Sequence, residues 1–114
     1  MPYINVKTSA KIDKKHKRNI MSRISDVIGL IPGKSASYLM VSVDDEADMM
    51  FHRDADLNLA MVEVKIFGKA DKRAYGELTA AICNIMQDEA DVPGDCCYVK
   101  YEEVAYWGYN GFMF

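Results

Sequence analysis

Long apolar runs are missing: none of the 114 residues' hydrophobic stretches approaches the ~20 that a spanning helix needs, so no membrane partner is expected. Cysteine is scarce. Cys83, Cys96 and Cys97 form no C-x-x-C and have no neighbouring histidines. Tetrahedral zinc wants a fuller ligand set, so neither a metal nor any other cofactor is expected. Cys83 falls in an apolar helical pattern and reads as a small core residue, while Cys96-Cys97 enters a strand that sends the pair to opposite faces. A Gly-rich phosphate loop and a serine-nucleophile pattern are both absent. Strong charge of one sign is lacking too, the net being −3. The basic run Lys11, Lys14, Lys15, His16, Lys17, Arg18 is opposed by Asp44, Asp45, Glu46 and Asp48, and no base-reading motif accompanies it. It reads as a solvated helix face, with no nucleic-acid partner. His52-Arg53-Asp54 is catalytic in composition only and reads as a surface loop between strands. No leader is visible, since strand-like alternation starts at Tyr3; cytoplasmic residence is expected, with leaderless export as the alternative.

What is present describes one globular domain over residues 1–114, half of it apolar. Residues 2–8 alternate as a strand. A helix follows from about Lys11, with Ile20, Ile24, Val27, Ile28 and Ile31 at helical spacing, and Gly29, Pro32 and Gly33 end it. Tyr38–Val43 reads as a strand with Leu39, Val41 and Val43 on one face. Then the order repeats. Leu57–Phe67 is a long strand, apolar on both faces for much of its length; a helix carries Tyr75, Leu78, Ile82, Ile85 and Met86; Asp91–Gly94 breaks it; Cys97–Tyr101 is a last main strand. Two β-α-β units predict an α+β fold, a four-stranded mixed sheet with both helices on one face. The uncovered face, with Ile4, Met40 and Met61 expected on it, calls for association through the sheets.

Two features carry chemistry. The chain opens Met1-Pro2, and an initiator methionine is usually removed before a residue as small as proline. The secondary amine so exposed is nucleophilic and titrates near the ordinary α-amino range of ~7.7–8.0. Burial beside another cation lowers that pKa and leaves a neutral general base. At the other end, Tyr98, Tyr101, Tyr106, Trp107, Tyr109, Phe112 and Phe114 crowd the last seventeen residues, interrupted by Gly108 and Gly111. Such a ribbon is too apolar to leave in water and reads as an interface element.

With these assembled, the chain resembles the macrophage migration inhibitory factor family of the tautomerase superfamily, from end to end. The resemblance rests on the Pro2 strand start, Gly33-Lys34 followed by Tyr38, Met50-Phe51 and Gly68-Lys69. It continues in Arg73-x-Tyr75-x-x-Leu78, Tyr98-Val99-Lys100-Tyr101 and Trp107–Phe114. It implies a homotrimer whose sheets line a central barrel, with active sites between subunits. It implies Pro2 as catalytic base, Lys34 as the pocket lysine that holds a substrate carboxylate, and Tyr98 as the tyrosine supplied by the neighbouring subunit. Tyr38, Tyr109 and Phe114 match the aromatic wall. The family's Ser-Ile-Gly appears as Ile66-Phe67-Gly68, preceded by Lys65, and its asparagine two after the tyrosine appears as Lys100. The C-x-x-C of the vertebrate cytokines is replaced by Leu59 and Val62, which removes the basis for a thiol–disulfide activity. Lys34, Lys65 and Lys100 would together make a three-cation pocket if all turn inward, suited to a carboxylate. The expected function is keto–enol tautomerisation of an aryl-pyruvate-like carboxylate, with Ile66, Phe67, Lys65 and Lys100 bordering the substrate. The alternative is a trimer that binds a receptor or other host protein, its pocket vestigial.

Overall fold

The computed structural model describes every residue, Met1–Phe114. Strand β1 (Pro2–Thr8) leads to helix α1 (Lys14–Val27) and strand β2 (Met40–Asp44); β3 (Ala60–Phe67) leads to α2 (Lys72–Ala90) and β4 (Cys97–Val104). A two-stranded hairpin, β5 (Gly108–Tyr109) and β6 (Phe112–Met113), ends the chain. The main sheet has the order β2-β1-β3-β4. β1 runs parallel to β2 and antiparallel to β3, and β3 runs parallel to β4. The sheet is mixed, as the doubled β-α-β pattern predicts.

Period-two alternation decides which face meets the helices. In β1, Ile4 lies between Val41 and Val64, and Val6 between Val43 and Val62. These residues join Ile20, Ile24, Leu78, Ile82, Ile85 and Met86 of the two helices in a single core. The helical members recur three or four positions apart, one stripe per helix. No helix is long and apolar enough to cross a membrane.

Several expectations need correcting. Ile4 is fully buried under the helices, not on the open face. The open face carries Tyr3, Asn5, Lys7, Met40, Ser42, Met61, Glu63, Lys65, Tyr98, Lys100 and Glu102, a mostly polar set. β3 alternates fully buried and half-buried residues instead of being apolar on both sides. Its start slips to Ala60 because Leu57 and Leu59 give their carbonyls to the hydroxyls of Ser9 and Thr8. α1 starts at Lys14, not Lys11, because Asp13 caps it and the Ile12 N–H is taken by the Asp45 carboxylate. Tyr38 closes a 3₁₀ turn, Ala36–Tyr38, and the strand proper begins at Met40, opposite Tyr3. His52 and Arg53 form a tight reversal, both with positive φ, between Phe51 and Asp54.

Candidate functional site

The chain start and Lys34 meet at one end of the sheet. Pro2 is buried and pairs with Ile66 across β1 and β3. The Phe67 N–H donates to the Met1 carbonyl at 3.0 Å. Beyond α1, Gly33 adopts φ +80°, a left-handed turn that costs glycine little, and the Lys34 N–H closes it on the Ile31 carbonyl at 3.1 Å. The turn sends Lys34 back over the sheet end, where its Nζ donates to the Phe67 carbonyl at 2.7 Å. A peptide carbonyl does not neutralise an ammonium, so the cation stays electrostatically available. Burial first, and then the Lys34 charge and its hydrogen bond, push the Met1 α-amine below its ordinary value of 8.0.

Rings extend from this point. Phe67 lies 6.1 Å from Phe114, Phe114 stacks at 6.3 Å on Tyr109, and Tyr109 meets Tyr38 edge-on at 6.3 Å. The Asn110-Gly111 corner, with φ +51° and +81°, is what folds the tail back to present Tyr109 and Phe114 together. Tyr38, Tyr109 and Phe114 nevertheless remain 53–58% exposed, so much of their apolar area awaits a ligand or a neighbour. Next to them opens a cleft of about 590 Å³, whose walls include Met1, Pro2, Tyr3, Tyr38, Trp107 and Tyr109. Lys34, Phe67 and Phe114 are not among its walls; they connect to it through the contacts above.

Other expected residues lie elsewhere. Ile66 has its side chain in the helix-covered core, 1% exposed, so it offers the site its backbone and not a wall. Tyr98 sits beside Met61, which faces Lys7, and its ring packs edge-on against Phe51 at 5.1 Å. Five strand positions, roughly 17 Å, therefore separate it from the Ile66–Pro2 pair within one chain. Lys65 and Lys100 stand on the open face with Glu63 and Glu102, in contacts of 3.1–3.9 Å that alternate in charge. Glu102, and then Glu63, hold the Lys100 ammonium above the ordinary lysine range. Lys65 also lies 5.8 Å over the Tyr3 ring. Within one chain, then, the three lysines do not gather in one pocket: Lys34 is the cation at the terminus, and Lys65 and Lys100 belong to a charge-balanced tetrad on the open face. Glu63 and Glu102 were missed, although the two-residue spacings Glu63/Lys65 and Lys100/Glu102 place each pair on one face. Trp107 and Tyr3 are further cleft residues that the reading of the sequence did not assign.

Cys96 and Cys97 are poorly suited to thiolate chemistry, burial being the first cause at both. Burial, and then the neighbouring Cys83, push Cys97 up to about 12, which disfavours the thiolate at neutral pH.

The family model of macrophage migration inhibitory factor matches residues 1–114. Among solved structures, MIF2 of Leishmania major superposes with a TM-score of 0.93 at 22% identity, covering 100% of this chain and 97% of its own. The homologue from Prochlorococcus marinus gives 0.88 at 26% identity, with 98% of each chain covered. Pt0534, solved after inactivation by 2-oxo-3-pentynoate, gives 0.84 at 17% identity, covering 96% of this chain and 93% of its own. Among curated protein sequences, none matches. Over its whole length, the chain belongs to the macrophage migration inhibitory factor family.

Proposed function

We propose that this protein is a keto–enol tautomerase of aryl-pyruvate-like carboxylates, with the Pro2 amine as general base once Met1 is removed. The observation that carries this reading is that buried Pro2 pairs with Ile66 while Lys34 is anchored on the carbonyl of the next residue, Phe67. In the reaction the neutral amine takes a proton from the carbon next to the carbonyl, and the electron pair moves onto oxygen. The enolate is then protonated on oxygen to give the enol, and the reverse path regenerates the ketone. The Lys34 ammonium holds the substrate carboxylate, and the rings of Tyr38, Tyr109 and Phe114 supply apolar contact area for the aryl group. Burial and the Lys34 charge lower the pKa of the Met1 amine, and the same two influences act in the same direction on a Pro2 amine exposed one residue further in.

The distance between Tyr98 and Pro2 supports a site completed by a second copy, and a homotrimer is part of the proposal. The Pt0534 neighbour, inactivated by a 2-oxo acid, suggests a probe. An amine adds to the alkyne of 2-oxo-3-pentynoate at the carbon distal to the ketone: one N–C bond forms and the proton passes to carbon.

The test is phenylpyruvate interconversion by protein whose intact mass shows Met1 absent. Saturable turnover, lost in Pro2→Gly while the assembly survives, is expected. Covalent capture of one 2-oxo-3-pentynoate per chain, also lost in Pro2→Gly, is the companion result. Full activity in Pro2→Gly would refute the assignment of the base. An inactive, correctly processed assembly would turn the reading towards partner binding.

A further inference from the structure

Residues 66–70 anchor Lys34 and face Pro2, so what holds these residues matters. The Phe67 carbonyl accepts from Lys34, and Ile66, one residue earlier, pairs with Pro2 across β1 and β3, a pairing that does not depend on Met1. The Gly68 N–H donates to the Val104 carbonyl at 3.1 Å, with Gly68 itself at φ +88°. The next anchor comes from outside the cleft. The Tyr75 hydroxyl, from α2, accepts from the Ala70 N–H at 3.0 Å and donates to Glu103 Oε2 at 2.7 Å. The same carboxylate oxygen lies 3.3 Å from the Ala70 N–H, so one backbone donor is shared by a hydroxyl and a carboxylate. Glu103 is on β4 directly opposite Ile66, and Ile66 is opposite Pro2. Helix, turn and two strands thus converge on the segment that carries the Lys34 acceptor.

We propose that Tyr75 and Glu103 are positioning residues that clamp the 67–70 turn and so fix Lys34 and the terminal amine relative to each other. The inference rests on the tautomerase reading for its kinetic consequence, but not for its geometry. Neither side chain is among the walls of the cleft. The Tyr75 ring is held independently of its hydroxyl: it stacks on Tyr101 at 4.5 Å, and the Tyr101 hydroxyl donates to the Tyr75 carbonyl at 2.9 Å. Removing the hydroxyl alone therefore loosens the clamp and leaves the helix-to-strand packing in place. Burial and the adjacent Glu103 raise the Tyr75 pKa, which keeps the hydroxyl protonated as a donor.

A loosened turn lets the Lys34 acceptor wander. Carboxylate binding weakens, and the amine loses part of the nearby positive charge that, beside burial, lowers its pKa. Tyr75→Phe and Glu103→Ala should each raise KM for phenylpyruvate about fivefold, the scale of one misplaced hydrogen bond. The turnover number should stay within about twofold, because the base itself is untouched. The acid limb of kcat/KM should move up towards the ordinary α-amino range. Glu103→Gln, whose amide oxygen still accepts, should restore most of both. A drop in melting temperature with KM and the acid limb unchanged would overturn the proposal, reducing the contact to a fold staple. If the wild type shows no tautomerase activity, the functional reading fails while the clamp stays open to test. NMR titration of the terminal amine then decides: a higher amine pKa in Tyr75→Phe supports the clamp, and an unchanged one refutes it.

Discussion

Lys34 and Lys100 carry the same charge in opposite circumstances. Lys34 is held by a carbonyl, which orients the ammonium without cancelling it, whereas Lys100 stands between two carboxylates. Only the former has charge to spare for an anion. Lys34→Ala should therefore raise KM for phenylpyruvate by about tenfold or more, the loss of a charge-assisted hydrogen bond. It should also shift the pH profile, and the direction follows from the amine. A base works unprotonated, so activity is lost as pH falls through its pKa. Burial first, and then Lys34, lower the pKa of the Met1 amine; a Pro2 base beside the same cation should feel the same sign, so removing Lys34 should raise its pKa and push the acid limb to higher pH. Initial rates of wild type and variant between pH 5 and 9 check this. An acid limb that stays put in Lys34→Ala would separate the lysine from the base.

The β5–β6 hairpin is the element that assembles the aromatic wall, and its corner needs left-handed backbone at two consecutive residues, Asn110 and Gly111. Gly111→Ala should strain that corner by about 1 kcal/mol, displace Tyr109 and Phe114, and raise KM while the core keeps its melting behaviour. Binding titrations beside a thermal scan distinguish this from general destabilisation. The elements were largely legible because their faces are periodic: Ile20, Ile24 and Ile28 read as a helix, and Leu78, Ile82 and Met86 likewise. Element ends were not, since they depend on distant partners. Asp45 takes the Ile12 N–H, and Ser9 takes the Leu57 carbonyl, neither of which local propensity reveals. The face of Ile4 was readable after all, from Asn5 and Lys7 alternating with Ile4 and Val6. In the candidate site, Pro2, Lys34 and the rings were visible as residue types in order along the chain. The partners of Lys65 and Lys100 depend on strand register, which only the fold supplies; the separation of Tyr98 from Pro2 within one chain agrees with the expectation that a neighbouring subunit supplies that tyrosine.

The core is one continuous cluster beneath a single sheet, so a hole anywhere in it is felt throughout. Leu78→Ala, at a fully buried position, should cost about 2–5 kcal/mol in chemical denaturation. A loss under 1 kcal/mol, on the scale of an exposed site, would contradict that packing. The open side of the molecule has a different logic. If Tyr98 of one copy completes the Pro2 site of another, Pro2→Gly and Tyr98→Ala subunits should complement each other. Equal amounts unfolded and refolded together should recover about a quarter of the wild-type sites, since subunits assort at random. Mixtures no more active than the average of their parents would place each site within one chain. The sheet order has one more consequence. β2 and β4 are its two borders, each with backbone donors and acceptors turned outward, and they are different surfaces. Head-to-tail contact through unlike borders either closes on itself or continues without end. The angle at which one copy meets the next therefore separates a finite ring from a fibre, and substitutions at these borders put solubility at stake before catalysis.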